Sequence, residues 1–159
     1  MQKLMVSACL LGDPVRYDGR CKVLENDRLD DLLKQNRVVR FCPEVAGGLL
    51  VPRDASEIQR GDGFSVIAGR STVSTSNGHN VTSAFISGAD KALQLCQQHQ
   101  IKVAILTESS PSCGSHQIYD GSFIGQSRAG VGVTTALLRS HGISVFSQHQ
   151  VDDAIKSLS

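Results

Sequence analysis

The chain opens on an apolar run, Leu4-Met5-Val6 with Ala8 behind Ser7, that breaks into Leu11-Gly12-Asp13-Pro14. A short apolar stretch closed by glycine and proline predicts a buried strand over residues 4–8 followed by a loop. The period then changes. Leu29, Leu32 and Leu33 recur at helical spacing, and Asn26 or Asp27 can accept hydrogen bonds from the first free amides, which predicts a short amphipathic helix over residues 27–35. β-branched and aromatic residues return over 37–41 and stop at Cys42-Pro43. Proline can neither donate a ladder hydrogen bond nor continue a strand, so strand two ends there.

From residue 47 to 80 the sequence is rich in Gly, Ser and Thr. Residues 64–68 and 72–74 are candidate strands and Asn77-Gly78 a tight turn, together an inserted hairpin or lid. Residues 82–98 place Phe85, Ala89, Leu93 and Cys96 on one face of a helix. A third buried strand follows over 101–106. A helix over 133–141 is closed by Gly142, a fourth strand covers 143–146, and a short terminal helix ends the chain. Alternating strands and helices predict one α/β domain over residues 1–159. Its sheet is mainly parallel, flanked by helices on both faces in a Rossmann-like manner, and its connections are right-handed.

Composition narrows the function classes. The 159 residues are 40% hydrophobic and 19% charged, with 16 basic against 15 acidic side chains, a balance that excludes disorder, collagen and coiled coil. A chain of this length buries about 70% of its unfolded surface and holds a core without staples. No apolar run approaches the roughly 20 residues that span a bilayer, and a net charge of +1 leaves no global basic footprint. Neither a membrane nor DNA is therefore an expected partner. Five cysteines are an odd number, so at least one thiol stays unpaired within the monomer, which points to a reducing compartment and a cytoplasmic location. The opening MQKLMVSAC ends like a lipoprotein cleavage box, but only eight residues precede Cys9, against about 15 to 30 for a signal peptide. Without such a leader the sequon Asn80-Val81-Thr82 carries no weight.

The cysteines divide into two groups on this map. Cys9, Cys42 and Cys113 each lie at or shortly beyond the carboxyl end of a predicted strand, the edge where open α/β sheets build their sites. Three thiolates make an incomplete shell for tetrahedral zinc or for an iron-sulfur cube, and so leave an open metal position. Singly, each reads first as a small buried hydrophobe, and it is the three at equivalent strand ends that favour ligation. Cys96 belongs to the apolar stripe of its helix and reads as core. Cys21, in a polar loop after Gly19-Arg20, reads as an exposed bystander or a fourth ligand. No Cys-x-x-Cys pair is present, which argues against a zinc ribbon or a thioredoxin-type motif.

The neighbours of these cysteines carry further chemistry. Pro43 holds the Glu44 carboxylate within about 7 Å of the Cys42 backbone, where it can act on a molecule at the open position. The segment Glu108-Ser109-Ser110-Pro111-Ser112-Cys113-Gly114 gathers three hydroxyls and a carboxylate around the third cysteine. His116 could pair with Cys113 as a thiolate-imidazole nucleophile if the two touch. Arg128-Ala129-Gly130-Val131-Gly132-Val133-Thr134 has the glycines of a phosphate cradle but neither full fingerprint, and reads first as a structural loop. Arg16-Tyr17-Asp18-Gly19 either lines the same cleft or forms a turn.

Val6-Ser7-Ala8-Cys9-Leu10-Leu11-Gly12 with Val15-Arg16-Tyr17-Asp18-Gly19, Cys42-Pro43-Glu44-Val45 with Gly47-Gly48 and Pro52-Arg53, and Ser110-Pro111-Ser112-Cys113-Gly114 resemble a bacterial family long catalogued as a domain of unknown function. A thiouracil desulfidase has been characterised within it. Gln117-Ile118-Tyr119-Asp120-Gly121, Gly132-Val133-Thr134 and His141-Gly142-Ile143 extend the resemblance over nearly the whole chain. It implies a 4Fe-4S cluster held by Cys9, Cys42 and Cys113, with Glu44 and Ser110 as the catalytic pair and Ser109 and Ser112 as alternatives for the serine. It also implies a non-redox reaction in which 2-thiouracil or 4-thiouracil, a small thiolated nucleobase, yields uracil and hydrosulfide. Relatives commonly carry a basic residue where this chain has Ser109, and a different polar residue where it has Cys21. Thiouridine in tRNA is a second substrate class, disfavoured because phosphate contacts leave a basic patch. A zinc or redox-sensing binding protein without turnover is a third reading.

Overall fold

A computed structural model describes residues 1–158. β1 (Leu4–Ser7) is buried along its whole length and passes into a 3-10 turn, Ala8–Leu11. α1 (Asp27–Lys34) begins where the Asn26 side chain accepts from the Leu29 amide. β2 (Val38–Phe41) pairs parallel to β1, and Pro43 opens the single turn α2 (Pro43–Ala46). Proline suits that first position because its φ is already helical and its missing N–H would have had no partner. β3 (Ser56–Gln59) and β4 (Thr72–Thr75) form an antiparallel ribbon with α3 (Gly63–Ile67) in the connection. Then come α4 (Thr82–Gln98), β5 (Val103–Ile105), a second ribbon of β6 (Gln117–Tyr119) and β7 (Ser127–Ala129), α5 (Val133–Ser140), β8 (Ser144–Phe146) and α6 (Val151–Lys156).

The main sheet has the order β2-β1-β5-β8 and every pair is parallel. Period-two alternation assigns its faces. Leu4, Val6, Val103 and Ile105 pack with Leu29 and Leu32 of α1 and with Val151 and Ala154 of α6. Met5, Ala104 and Val145 pack on the other face with Ala92 and Cys96 of α4 and Leu138 of α5. The sheet is thus covered by helices on both sides, as an all-parallel sheet requires. Among the described residues no helix is long and apolar enough to cross a membrane.

The segment from 47 to 80 differs in detail from its sequence reading. Of residues 64–68, expected as a strand, 64–67 belong to α3 and Ala68 caps its end, while its first turn is capped by the Asp62 side chain accepting from Phe64 N at 3.1 Å. A short apolar run has no period of its own, and the cap decides it. The strand that pairs with β4 is β3, whose sequence Ser-Glu-Ile-Gln carries one aliphatic residue and was not read from the pattern. The β6–β7 ribbon was missed for the same reason. These elements rest on a third core in which Ile58, Val66 and Val73 meet Phe85, Ile118 and Val133, so the inserted hairpin is packed down.

Two glycines set how α2 meets α4. A Cβ at Gly88 would collide with the Pro43 carbonyl, and one at Gly47 with the Ala84 carbonyl, so backbone lies on backbone at this crossing. That contact fixes the turn carrying Cys42 and Glu44. Gly88→Ala should lower stability by about 1–3 kcal/mol, the usual cost of overpacking, read as a fall in the urea midpoint. An unchanged midpoint would show that α2 and α4 are not held this closely.

Candidate active site

β1 and β5 are neighbours, but the chain leaves β1 for α1 on one face and β5 for α5 on the other. Such a reversal opens a crevice at the carboxyl edge of a doubly wound sheet. A cavity of about 390 Å³ lies there, and its walls include Cys9, Cys42 and Cys113 together with Glu44, Arg53, Thr107 and Ser110. All five cysteines are free thiols; Cys96 is buried against Met5, with Sγ 3.9 Å from Sδ, and Cys21 is exposed outside the cavity wall.

Each of the three thiols is placed by a different local device. Cys9 sits in the 3-10 turn beyond β1, where its carbonyl accepts from Lys22 N at 2.9 Å and its Sγ lies 3.0 Å from Thr107 Oγ1. Cys42 is the extended residue before α2, and its carbonyl accepts from Ala46 N at 2.9 Å. Cys113 rides on a loop docked against the start of α5. There Val133 N donates to Pro111 O at 2.9 Å, Thr134 N to Ser112 O at 2.8 Å and Thr135 Oγ1 to Cys113 O at 2.9 Å. The amides of Gly132, Val133 and Thr134, which a phosphate cradle would offer, are therefore occupied by this loop, in keeping with a structural role for that segment.

Burial pushes all three thiols up from the ordinary range. Cys113 is raised furthest, by desolvation first and then by the nearby Cys42, Glu44 and Cys9. Thr107, Arg16 and Lys22 partly oppose the rise at Cys9. Cys113 thus lies within electrostatic reach of both Cys42 and Cys9. No three His, Cys, Asp or Glu side chains among the described residues gather round one point as a single metal ion requires. A larger group with a separate corner for each sulfur meets this donor set without that convergence, and its positive metal ions relieve the repulsion between thiolates.

Glu44 is held from both sides. Arg53 Nε donates to Oε1 at 3.2 Å, while Ser110 Oγ stands 3.5 Å from Oε2 as a donor. Burial raises the Glu44 carboxyl, and the Arg53 charge and both hydrogen bonds oppose the rise. Arg53 is itself fixed by the carbonyls of Leu50 and Val15, each at 3.1 Å. Ser110 Oγ accepts from Ser112 N and Cys113 N, each at 3.1 Å, so its own proton is directed toward Glu44. Ser112 turns away to meet Thr134 Oγ1 at 2.8 Å. Ser109 lines the cavity without a hydrogen bond to Glu44.

Glu108, quoted from the sequence only as a nearby carboxylate, organises the loop. Its Oε1 accepts the amides of Ser109 at 3.2 Å, Ser115 at 2.9 Å, and His116 and Gln117 at 3.0 Å, and its Oε2 meets Ser115 Oγ and His116 Nδ1 at 2.9 Å. His116 is thereby turned to Glu108, and the Cys113–His116 pairing does not form. Across the cavity Glu57 Oε1 accepts from Gly121 N at 2.9 Å and Phe123 N at 3.2 Å, which holds Tyr119 and Phe123 in the wall. Arg16 and Tyr17 also line it, and their segment closes as a turn with Gly19 N on Arg16 O at 2.8 Å. The roles of Arg53, Thr107, Glu57 and Glu108 were missed from sequence because each depends on a partner distant in the chain or on a fold of the loop.

The fold and cavity define a doubly wound α/β protein whose switch-point crevice is walled by three free thiols and a clamped carboxylate. The 2-thiouracil desulfurase family matches residues 4–150, and the chain belongs to that family. A solved structure described as the 4Fe-4S-dependent thiouracil desulfidase TudS (DUF523Vcz) superposes with a TM-score of 0.91 at 49% identity, covering 99% of this chain and 98% of that one. The uncharacterized protein YbbK of Bacillus subtilis (strain 168) is 38% identical over 152 residues, which span 96% of this chain and 99% of that protein.

The hydrogen bonds to Glu108 have a pH consequence. Burial works to raise its carboxyl, but the amides of His116 and Gln117, the His116 ring and the Ser109 amide outweigh burial and hold it at about 2. A carboxylate depressed in the folded state adds stability that is full above its unfolded value near 4.3 and is lost as pH falls toward 2. Glu108→Gln should be less stable than wild type at pH 7 by on the order of 1–3 kcal/mol, and the gap should close between about pH 4.5 and 2. Denaturant melts across that range would show a constant gap if Glu108 were not the anchor.

Proposed function

We propose that this chain is a 4Fe-4S-dependent thiouracil desulfidase in which Cys9, Cys42 and Cys113 would hold the cluster and leave one iron without a protein ligand. The observation that carries the reading is the grouping of three free thiols, Cys9, Cys42 and Cys113, with the Arg53–Glu44–Ser110 chain in one crevice. The comparisons support the reaction class: the family bears the name of 2-thiouracil desulfurase, and TudS is described as 4Fe-4S-dependent. When bound, the cluster supplies a thiophilic Lewis acid whose open position takes the exocyclic sulfur of the substrate.

The chain's own residues do the rest. A cavity of about 390 Å³ with Tyr17, Tyr119 and Phe123 in its wall admits a flat, uncharged ring and offers it aromatic faces. Arg53 holds the Glu44 carboxylate in place, and Glu44 takes a proton from the water that attacks the carbon bearing sulfur. Ser110, its acceptor sites filled by two amides, donates toward Glu44 and so orients the carboxylate that takes the proton. The balance is hydrolytic: thiouracil and water give uracil and hydrosulfide with one proton, the carbon-sulfur bond breaks as a carbon-oxygen bond forms, and no electron is transferred.

Anaerobic reconstitution with iron and sulfide, followed by a sulfide assay on 2-thiouracil and 4-thiouracil, tests this. Alanine at Cys9, Cys42 or Cys113 should abolish the cluster absorbance, whereas Cys21→Ala and Cys96→Ala keep it. Glu44→Gln should retain the cluster and lose about 10²- to 10⁴-fold in rate. A fully loaded protein that releases no sulfide from either base overturns the substrate assignment. A colourless, zinc-loaded protein overturns the cofactor.

A further inference from the structure

Thr107 is the second residue past β5, buried at 7% exposure directly across the switch point from the end of β1. Its amide donates to Ser7 Oγ at 3.0 Å, which ties it to the last residue of β1, and its Oγ1 lies 3.0 Å from Cys9 Sγ. In the free thiol either atom can be the donor. A sulfur that ligates iron has no proton, so there the hydroxyl can only donate. A hydrogen bond to a ligating sulfur draws charge from it, which makes an iron-sulfur cluster easier to reduce and the ligand harder to displace.

We propose that Thr107 is a positioning residue for the cluster: donating to the Cys9 thiolate, its hydroxyl raises the reduction potential and slows loss of the iron at that corner. This rests on the ligand set proposed above. It adds a role for a cavity-wall residue that acts through a ligating sulfur. In a non-redox reaction the device favours retention of the metal and a fixed charge on the cluster, and transfers no electrons to substrate.

The test uses the reconstituted full chain and two readouts independent of turnover, the reduction potential from an anaerobic optical titration and the rate of cluster bleaching by EDTA. Thr107→Val keeps the shape and removes the hydroxyl; Thr107→Ser keeps the hydroxyl. The valine variant should show a more negative potential and bleach about 10- to 100-fold faster, as loss of an outer hydrogen bond to a metal ligand commonly gives, while the serine variant stays near wild type. If the valine variant fails to fold, Thr107→Ala makes the same comparison without the added methyl. A hydroxyl-free variant that matches wild type in both readouts overturns the proposal alone. A serine variant shifted as far as the valine variant does so too, because packing would then be the cause. Failure of the wild type to take up a cluster overturns both this proposal and the functional reading beneath it.

Discussion

Three thiols share one crevice, where burial raises the proton affinity of each and the charges of Cys42 and Cys9 would raise that of Cys113 further. Left to themselves they stay protonated, and the Glu44 carboxylate beside them favours that state at Cys42 and Cys113. In the proposed function these sulfurs are the donor set of a positively charged group, which would take them up as thiolates and release their protons. Much of the surrounding structure serves to hold these groups together at the sheet edge. Cys9 is fixed by the turn after β1, Cys42 by a proline-led turn pressed onto α4 through glycine, and Cys113 by a loop that fills the amino end of α5.

The same constraint explains why polar residues are spent on scaffolding close to the cavity. Glu108 satisfies four amides of the loop that carries Ser110 and Cys113, and Glu57 two amides of the loop that carries Phe123. Arg53 spans the Glu44 carboxylate and two carbonyls from separate segments. Loops at a sheet edge are mobile by default, and buried charged groups with full hydrogen-bond sets make their geometry specific. A crevice built in this way keeps its chemistry in register without a disulfide.

The sheet was legible because each parallel strand is short, apolar and closed by a Gly, Pro or polar break, so residues 4–8 and 101–106 announce themselves. The convergence of Cys9, Cys42 and Cys113 followed from their positions at strand ends. α3 was misread because five residues of apolar sequence have no resolvable period, and β3 and β6 were invisible because ribbons paired on their own backbone need little apolar pattern. Arg53, Glu57, Thr107 and Glu108 could not be assigned roles from the sequence: their partners are 9, 64, 98 and 7 to 9 positions away, and only the folded chain brings them into contact.

The central claim is that three cysteines hold a four-iron cluster and leave one iron for the substrate's sulfur. Mössbauer spectroscopy of the ⁵⁷Fe-reconstituted protein, recorded with and without 2-thiouracil, addresses it most directly. The account predicts that one iron of the four is distinct and that its signal alone shifts when 2-thiouracil is added. Four equivalent irons, or a spectrum that 2-thiouracil leaves unchanged, would contradict it.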